Sequence, residues 1–288
     1  MKEWVVNRCT VTPVRMEPSE GSEQLTQLLF GEVCQVLERL PRWTKIRSTV
    51  DGQTGWVDFK MVTSIGDEVT GDEAKGIGVV ALPIAAATDM ETGEELMLTL
   101  GTRLPNYAHG TFEVLGKKYL INPACVSHLE DAPQAIECPA GYRLEGKGEE
   151  VCTIAQTLLN APYLWGGKNA MGIDCSGFTQ VVYSVFGVNL LRNAREQITQ
   201  GTPVASLAEA QAGDLAFFDH ADHDPKATNI SHVGLLLDKQ TIIHCSGCVH
   251  VDYIDDMGIH LPDGELTHHL VQIKRYLYTD KKRYFFCI

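Results

Sequence analysis

One cysteine lies where a thiol could act as a nucleophile. Cys175 stands between Gly172 and Gly177, and an apolar pattern with helical spacing follows it at residues 178, 181, 182, 185 and 186. Because this spacing marks one buried helix face, Cys175 is predicted to lie at the start of a helix. Unpaired backbone N–H groups at a helix start favour a thiolate, so we expect a lowered thiol pKa and a nucleophile at neutral pH. The alternative is a buried structural cysteine.

Two histidines downstream could supply the base that a nucleophilic cysteine needs. Residues 230–237 predict a strand with His232 at its start, residues 238–240 a turn, and residues 241–244 a paired strand that ends at His244. In a tight hairpin the two imidazoles face the same surface of adjacent strands. His232 would then take the thiol proton, and His244 would hold the His232 ring in its tautomer. For either histidine alone, solvated surface or satisfied core is the alternative.

Five short pieces of the second half of the chain occur in a recognisable order. They are residues 161–167 (Ala-Pro-Tyr-Leu-Trp-Gly-Gly), 174–178 (Asp-Cys-Ser-Gly-Phe), 213–218, 231–234 and 243–247. Together they resemble the NlpC/P60 family of papain-like cell-wall cysteine peptidases. The resemblance implies that Cys175 is the nucleophile, His232 the base and His244 the orienting third residue. It also implies that Tyr163 donates its hydroxyl to the oxyanion, whereas aromatic core packing is the alternative for Tyr163 and Trp165.

The first part of the chain is organised as short strand-like runs between turn residues. Residues 4–63 lack helical periodicity, and Asp51-Gly52 is a hairpin turn signal. This pattern predicts a small β-barrel, and pieces such as residues 43–46 and 51–57 resemble a bacterial SH3-type domain. Residues 77–128 are again strand-like and predict a second, more divergent SH3-like domain.

The predicted fold class is therefore α+β, with two small SH3-like β-barrels followed by a papain-like α+β catalytic domain. The predicted boundaries are residues 1–66 and 77–128 for the two SH3-like domains, 129–147 for a linker and 148–288 for the catalytic domain. Helical spacing at residues 151, 154, 155, 158 and 159 predicts a helix at the start of the last domain.

Two SH3-like domains ahead of this peptidase resemble one subgroup, the γ-D-glutamyl-L-diamino acid endopeptidases that trim peptides released from murein. The resemblance implies that the first domain closes part of the active site, so that only a free N-terminal L-Ala fits. It implies that Asp174 binds the substrate's α-ammonium with help from Glu23, and that Trp165 and Ser176 line the pocket. A buried cation needs such charged partners. The alternatives are a solvated loop charge for Glu23 and a helix cap for Asp174.

One stretch departs from the family pattern near the expected pocket. The family usually has Leu-Pro-Arg, then Asp-Ser in this subgroup, and a later Gln. Arg192 and Gln197 are kept here, whereas Asn193 and Ala194 replace the acidic and hydroxyl side chains. The resemblance places Arg192, Asn193 and Ala194 among the substrate-binding residues. The change removes a formal negative charge and a hydrogen-bonding group from the pocket.

Charge and cysteine content limit the binding partners and the cellular compartment that we expect. The formal net charge of -13 disfavours binding to nucleic acid, to anionic membranes or to an anionic wall polymer, and it favours a small soluble peptide. The odd count of 9 cysteines favours a reducing compartment. Since no basic and apolar leader opens the sequence, we expect a cytoplasmic monomer, or a periplasmic or secreted protein if a signal peptide has been removed.

Two further groupings could suggest redox or metal chemistry. Residues 245–248 have the CxxC spacing, which we interpret as a strand end because a single CxxC is a weak signal. His220, Asp222, His223 and Asp224 could hold a metal, but a solvated loop is the favoured interpretation. No cofactor and no metal is therefore predicted.

Three functions stay open on sequence alone. The first is a cysteine endopeptidase that cleaves the γ-D-Glu–L-diamino acid bond of murein peptides through a thioester acyl-enzyme, or that acts on intact peptidoglycan. The second is a papain-like amidase or acyltransferase for another acyl group. The third is a non-catalytic peptide-binding module, which the joint presence of Cys175, His232 and His244 disfavours because mere binding has no need of all three.

Overall fold

The computed structural model describes residues 2–66, 76–129, 147–220 and 229–276, which form two compact units. The first unit contains the described residues up to 129 together with the segment Trp165–Ala170. The second unit contains the described residues from 147 to 164 and from 171 onward. Most of the predicted linker 129–147 and the loop residues Asp222, His223 and Asp224 lie outside the described residues.

An antiparallel sheet of seven short strands opens the first unit. The strands are β1 (Trp4–Asn7), β2 (Val11–Arg15), β3 (Gln24–Leu29), β4 (Val33–Arg39), β5 (Trp43–Ser48), β6 (Thr54–Asp58) and β7 (Val62–Ile65). They lie in the order β3-β2-β6-β5-β4-β1-β7, and Val14, Ile46 and Val57 belong to one buried core. The predicted hairpin turn at Asp51 and Gly52 joins β5 to β6, and Gly52 has the positive φ of 75° that such a turn requires.

Seven further strands of the first unit form two smaller antiparallel sheets. The strands are β8 (Ile77–Val80), β9 (Ile84–Asp89), β10 (Glu95–Thr99), β11 (Arg103–Pro105), β12 (Thr111–Val114), β13 (Lys117–Ile121) and β14 (Val126–Leu129). The sheet orders are β10-β9-β13-β12 and β11-β8-β14. Phe30, which follows β3, packs edge-on against Tyr119 with ring centroids 5.8 Å apart, and Val6 joins the same buried cluster. Both sets of strands therefore share one apolar core. The two-residue strand β15 (Lys168–Asn169) also belongs to this unit.

The second unit combines three helices with a closed sheet. Its described helices are α1 (Gly148–Gln156), α2 (Cys175–Ser184) and α3 (Ala194–Gln197). Its strands are β16 (Gly172–Ile173), β17 (Thr202–Val204), β18 (Leu215–His220), β19 (His232–Leu236), β20 (Thr241–Ser246), β21 (Cys248–Asp255), β22 (Gly258–His260) and β23 (Leu266–Arg275). The order of the main sheet is β17-β23-β18-β19-β20-β21-β22, and β22 also pairs with β23, so six strands close into a ring. Phe218, Ile254 and Ile273 belong to its core.

The two elements that carry the predicted nucleophile and base are present. Helix α2 begins at Cys175 with Asp174 as its N-cap, as the apolar spacing predicts. It ends at Ser184, so the buried Val185 and Phe186 lie beyond the helix instead of on its face. Strands β19 and β20 form the predicted hairpin and pair in antiparallel register.

The protein is mostly β, because the described residues contain three α-helices and three short 3₁₀ helices beside 23 strands. The α+β prediction therefore holds only in part. Helix α1 ends at Gln156, and Leu159, which was predicted on its apolar face, is exposed beyond its end. No helix among the described residues has the length and apolar character needed to span a membrane.

Candidate active site

Helix α2 presents Cys175 to the start of strand β19. Asp174 caps the helix, because its carboxylate accepts a hydrogen bond of 2.7 Å from the Gly177 backbone N–H. The Cys175 sulfur accepts a hydrogen bond from the backbone N–H of Val233, the residue that follows His232. The cysteine side chain therefore lies against the strand that carries the predicted base.

Burial controls the acidity of the candidate nucleophile. Burial is the larger of two effects, the other being the nearby carboxylate of Asp174, that together raise the pKa of the Cys175 thiol to about 12. Backbone hydrogen bonds from Val233 and Ser176 and the charge of Arg192 lower this pKa, but by less than burial and Asp174 raise it. The expected lowering of this pKa by the helix start is therefore wrong, since removal of the thiol from water outweighs the helix end. A nucleophile at this position needs a base to take its proton.

His232, the neighbour of Val233 in the chain, begins a hydrogen-bonded relay of three side chains. His232 Nε2 lies 2.8 Å from His244 Nδ1, and His244 Nε2 lies 3.1 Å from Asp252 Oδ2. Burial lowers the pKa of His244, so its ring is neutral, and the hydrogen bond from His244 lowers the pKa of Asp252, so its carboxylate is ionised. A carboxylate can only accept, and His244 must therefore donate from Nε2 and accept at Nδ1. His232 in turn donates from Nε2, which leaves its Nδ1 as the nitrogen that can receive a proton.

Tyr163 is positioned close to the nucleophile. Its pKa is raised by burial and then by the neighbouring Cys175 and Asp174, so the phenol keeps its proton and can donate it. Ile173 holds the backbone before and after Tyr163. Its N–H donates to the Pro162 carbonyl and its carbonyl accepts from the Leu164 N–H, each at 3.0 Å. Tyr163 and Cys175 are thus brought together, as expected for a hydroxyl aimed at a developing oxyanion.

Asp174 has a second partner beside the helix that it caps. Arg192 donates from Nη1 to Asp174 Oδ1 at 3.0 Å and from Nη2 to Oδ2 at 2.7 Å, and it also donates to Ser176 Oγ at 2.9 Å. The Arg192 side chain is only 1% exposed. The helix-cap alternative for Asp174 is therefore observed, and its predicted bond to a substrate ammonium stays a prediction.

Asn193 and Ala194, which depart from the family pattern, lie at the start of α3. Asn193 is the N-cap, and its Nδ2 and backbone N–H donate to Glu196 Oε2 at 2.8 and 3.0 Å. Ala194 is the first residue of the helix and is buried. Gln197 donates to the carbonyls of Ser176 and Leu191, which ties this short helix to the start of α2. A role of Asn193 or Ala194 in substrate binding stays a prediction.

The predicted pocket residues Glu23 and Trp165 contact each other within the first unit. The indole Nε1 of Trp165 donates to Glu23 Oε1 at 2.8 Å, and Gln24 Nε2 donates to the Trp165 carbonyl at 3.0 Å. Farther along the same segment, Lys168 forms a buried ion pair of 2.8 Å with Glu32. Glu23 is therefore exposed but hydrogen-bonded, and its role in substrate binding stays a prediction.

Comparison with known families agrees with the motifs in both units. Residues 160–260 match the model of the NlpC/P60 family, and residues 10–62 match that of the bacterial SH3 domain. The chain carries a bacterial SH3 domain and, C-terminal to it, an NlpC/P60 domain. The NlpC/P60 family is a family of cysteine peptidases, which agrees with a cysteine at a helix start beside a histidine relay.

Two curated relatives extend over most of the chain. The gamma-D-glutamyl-L-lysine dipeptidyl-peptidase of Bacillus cereus is 26% identical and covers 76% of this chain and 66% of its own length. The protein of the same name from Bacillus subtilis is 27% identical over 76% of this chain and 71% of its own. The chain thus spans about two thirds of these relatives, and 52% of a Corynebacterium glutamicum relative that is 35% identical.

A solved structure of an NlpC/P60 family protein from Bacillus cereus has the same fold. It superposes with a TM-score of 0.78 at 20% identity and covers 96% of this chain and 100% of its own.

Beside the candidate nucleophile and base, the NlpC/P60 domain contains one relay residue, Asp252, and two histidines outside the relay that the sequence patterns did not indicate. Asp252 and His250 lie on β21, which pairs with β20 so that His250 stands directly opposite His244. His268 on β23 brings its ring centroid to 4.5 Å from that of His232. The spacing of His250 and Asp252 by two residues is the one signal that could have placed them on a common face of a strand.

Proposed function

We propose that this protein is a cysteine endopeptidase that hydrolyses the γ-D-Glu–L-diamino acid bond of murein peptides with a free N-terminal L-Ala. One observation supports this chemistry. The Cys175 sulfur accepts a hydrogen bond from the backbone N–H of Val233, the residue after His232, and His232 begins the relay through His244 to Asp252. This arrangement supports proton transfer from a buried thiol to an oriented imidazole.

The proposed reaction proceeds in two steps. His232 Nδ1 takes the thiol proton of Cys175 while the sulfur attacks the γ-carbonyl carbon of the D-Glu residue. The oxyanion accepts hydrogen bonds from the Tyr163 hydroxyl and the Cys175 backbone N–H, which has no intrahelical acceptor at the first position of a helix. The amide bond breaks as the leaving amine takes the proton from His232, and a thioester remains. A water molecule then gives a proton to His232 and attacks the thioester carbonyl. The carbon–sulfur bond breaks, the γ-carboxyl product leaves, and the Cys175 thiolate takes the proton back from His232.

The substrate assignment rests on the resemblance and on the names of the two Bacillus relatives. A free ammonium on the substrate needs a carboxylate partner. Both oxygens of Asp174 already bind Arg192, whereas the indole of Trp165 binds one oxygen of Glu23. Following the resemblance, Asp174 is proposed as the main partner of the ammonium, beside its bond to Arg192, and Glu23 as the assisting one. Residues 77–128 are proposed to be a second, divergent SH3-like barrel in the first unit.

The test compares two peptides and two cysteine variants. L-Ala-γ-D-Glu-diaminopimelate and its N-acetylated form are incubated with the protein, and the products are identified by mass spectrometry. A charged hydrogen bond to the ammonium is worth roughly 1.5–3 kcal/mol and an unpaired buried cation costs more, so acetylation should lower kcat/KM by about a hundredfold or more. Cys175→Ala should abolish turnover. Cys152→Ala is the matched control, because Cys152 is also a buried helical cysteine and lies outside the relay.

Three results would contradict the proposal. Turnover of Cys175→Ala within about tenfold of the wild type would exclude covalent catalysis by this residue, since losing the nucleophile removes several kcal/mol of barrier lowering. Equal cleavage of the free and acetylated peptides would exclude ammonium recognition. Cleavage of intact cross-linked wall at the same rate as small peptides would favour a general wall hydrolase.

A further inference from the structure

Three side chains of the second unit gather their ligand atoms in one place. The ligand atoms of His244, His250 and Asp252 all lie within 4.8 Å of one another. His244 Nε2 and His250 Nε2 each lie 3.1 Å from the same oxygen, Asp252 Oδ2. Two paired strands hold the three residues, with His244 on β20 directly opposite His250 on β21. The cluster is therefore fixed by backbone pairing and does not depend on a loop.

The spacing and chemistry of this cluster fit a transition metal. A tetrahedral zinc ion with bonds of about 2.0–2.1 Å keeps its ligand atoms roughly 3.3 Å apart, close to the two distances of 3.1 Å found here. Two imidazoles and one carboxylate form a three-residue ligand set that leaves the fourth position to water. The His250 side chain is 33% exposed and Asp252 is 11% exposed, whereas His244 is 1% exposed. A cation can therefore enter from the His250 side and reach the buried ring.

We propose that His244, His250 and Asp252 bind a divalent transition-metal ion of the zinc class, and that binding switches off the peptidase. The proposal that the metal binds is argued from the cluster itself, and the proposal that binding inhibits the enzyme rests on the proposed function of His232 as the base. Nothing in the proposed reaction uses this metal, so the ion is an inhibitor and not a cofactor.

The switch follows from proton positions in the two rings. Without metal, His244 donates from Nε2 to Asp252 and accepts at Nδ1 from His232 Nε2. A metal bonded to His244 Nε2 takes the place of that proton, so the neutral ring must carry its proton on Nδ1. His244 then donates to His232 Nε2, and His232 keeps its own proton on Nδ1, the nitrogen that must receive the thiol proton. The His244 and His232 rings each hold one proton before and after. With metal on its Nε2, His250 holds its proton on Nδ1, which lies 2.8 Å from the Cys248 carbonyl oxygen. The base is lost without any block of the cleft.

The decisive variant is His250→Gln. His250 contacts the same Asp252 oxygen as His244 but is not in the chain of contacts from His232 through His244 to Asp252. Glutamine keeps an N–H donor toward Asp252 but is a poor zinc ligand, so turnover without metal should stay at the wild-type level. Zn²⁺ should inhibit the wild type, and the concentration for half inhibition should rise at least about tenfold in His250→Gln, which corresponds to 1.4 kcal/mol of binding.

Zinc on the Cys175 thiol is the competing explanation, and stoichiometry separates the two. Zn²⁺ bound by the full-length protein is measured by competition with a chromophoric chelator. Cys175→Ala should keep the equivalent of zinc that His250→Gln loses. The Co²⁺ difference spectrum between Cys175→Ala and Cys175→Ala/His250→Gln should show d–d bands without a thiolate charge-transfer band. Loss of that equivalent in Cys175→Ala and its retention in His250→Gln would overturn the site.

A readout independent of turnover distinguishes failure of this inference from failure of the proposed function. Alkylation of Cys175 by iodoacetamide depends on a base for the thiol but on no substrate. Zn²⁺ should slow that alkylation in the wild type and leave it unchanged in His250→Gln, even if no murein peptide is cleaved. Zinc that binds the cluster but changes neither alkylation nor turnover would overturn the switch. Equal slowing in both proteins would likewise overturn it.

Discussion

Arg192 binds both carboxylate oxygens of Asp174, at 3.0 and 2.7 Å, on the residue immediately before the candidate nucleophile. Asp174 also caps helix α2 through the Gly177 N–H. One carboxylate thus neutralises a fully buried guanidinium and fixes the helix end on which Cys175 stands. Bidentate pairs of this kind are directional as well as strong, so Arg192 helps to set the orientation of the α2 start.

Asp174→Asn should destabilise the protein by about 3–5 kcal/mol, because the buried Arg192 loses its charge partner. Urea unfolding followed by circular dichroism measures the change. Ser176→Ala is the control, since Ser176 contacts the same guanidinium without a charge and should cost far less. Unchanged stability together with a selective loss of activity on the free-amine peptide would show that Asp174 acts mainly on the substrate.

His232 and His244 should respond differently to the same substitution. His244→Gln should retain measurable turnover, reduced by about ten- to a hundredfold, because the amide oxygen can still accept from His232 Nε2. His232→Gln should lose about a thousandfold or more, in the range typical of a general base. Steady-state kinetics on the free-amine peptide measures both. Equal losses would mean that the two rings share one role.

Asp252→Asn should lower kcat by about tenfold or more with little change in KM, because an amide can donate to His244 Nε2 as readily as it can accept and no longer fixes the ring's tautomer. Asp255→Asn is the matched control on the same strand, since Asp255 bonds His260 and lies outside the relay. Similar kinetics for the two variants would remove Asp252 from the relay.

The reactivity of Cys175 toward iodoacetamide should report its raised pKa. Only the thiolate reacts, so in His232→Gln the rate should rise about tenfold per pH unit from pH 7 to 10 without a plateau, because burial raises the pKa of Cys175 to about 12. At pH 7 the wild type should react at least about a hundredfold faster, since His232 takes the proton. Mass spectrometry of the Cys175 peptide gives the rates. A plateau below pH 8 in the variant would indicate a thiolate stabilised without His232.

Local patterns in the sequence were sufficient to predict the start of α2 and the hairpin of β19 and β20. Both depend on residues that are neighbours along the chain: an apolar face with helical spacing in one case, and a short polar turn between two aliphatic runs in the other. The motifs around Cys175 and His232 lie on these elements. Their relative placement could therefore be expected before any tertiary contact was known.

Contacts between distant elements could not be predicted in this way. Asp252 reaches His244 through the register of β20 and β21, which no local spacing fixes. Glu23 and Trp165 are bonded although 142 positions separate them. The raised pKa of Cys175 has the same origin, because the burial that dominates it comes from elements packed around the helix and not from the helix itself.

The first unit includes the segment Trp165–Ala170, which the ribosome makes after the rest of the described residues of that unit. Glu32 is buried in the first unit, yet its cationic partner Lys168 follows it by 136 positions. A ribosome that adds about 5–20 residues per second needs roughly 2–8 s to proceed from residue 129 to residue 170. During that interval the nascent first unit lacks the ion pair between Glu32 and Lys168, and it gains this buried contact only when the peptidase motif has begun to emerge.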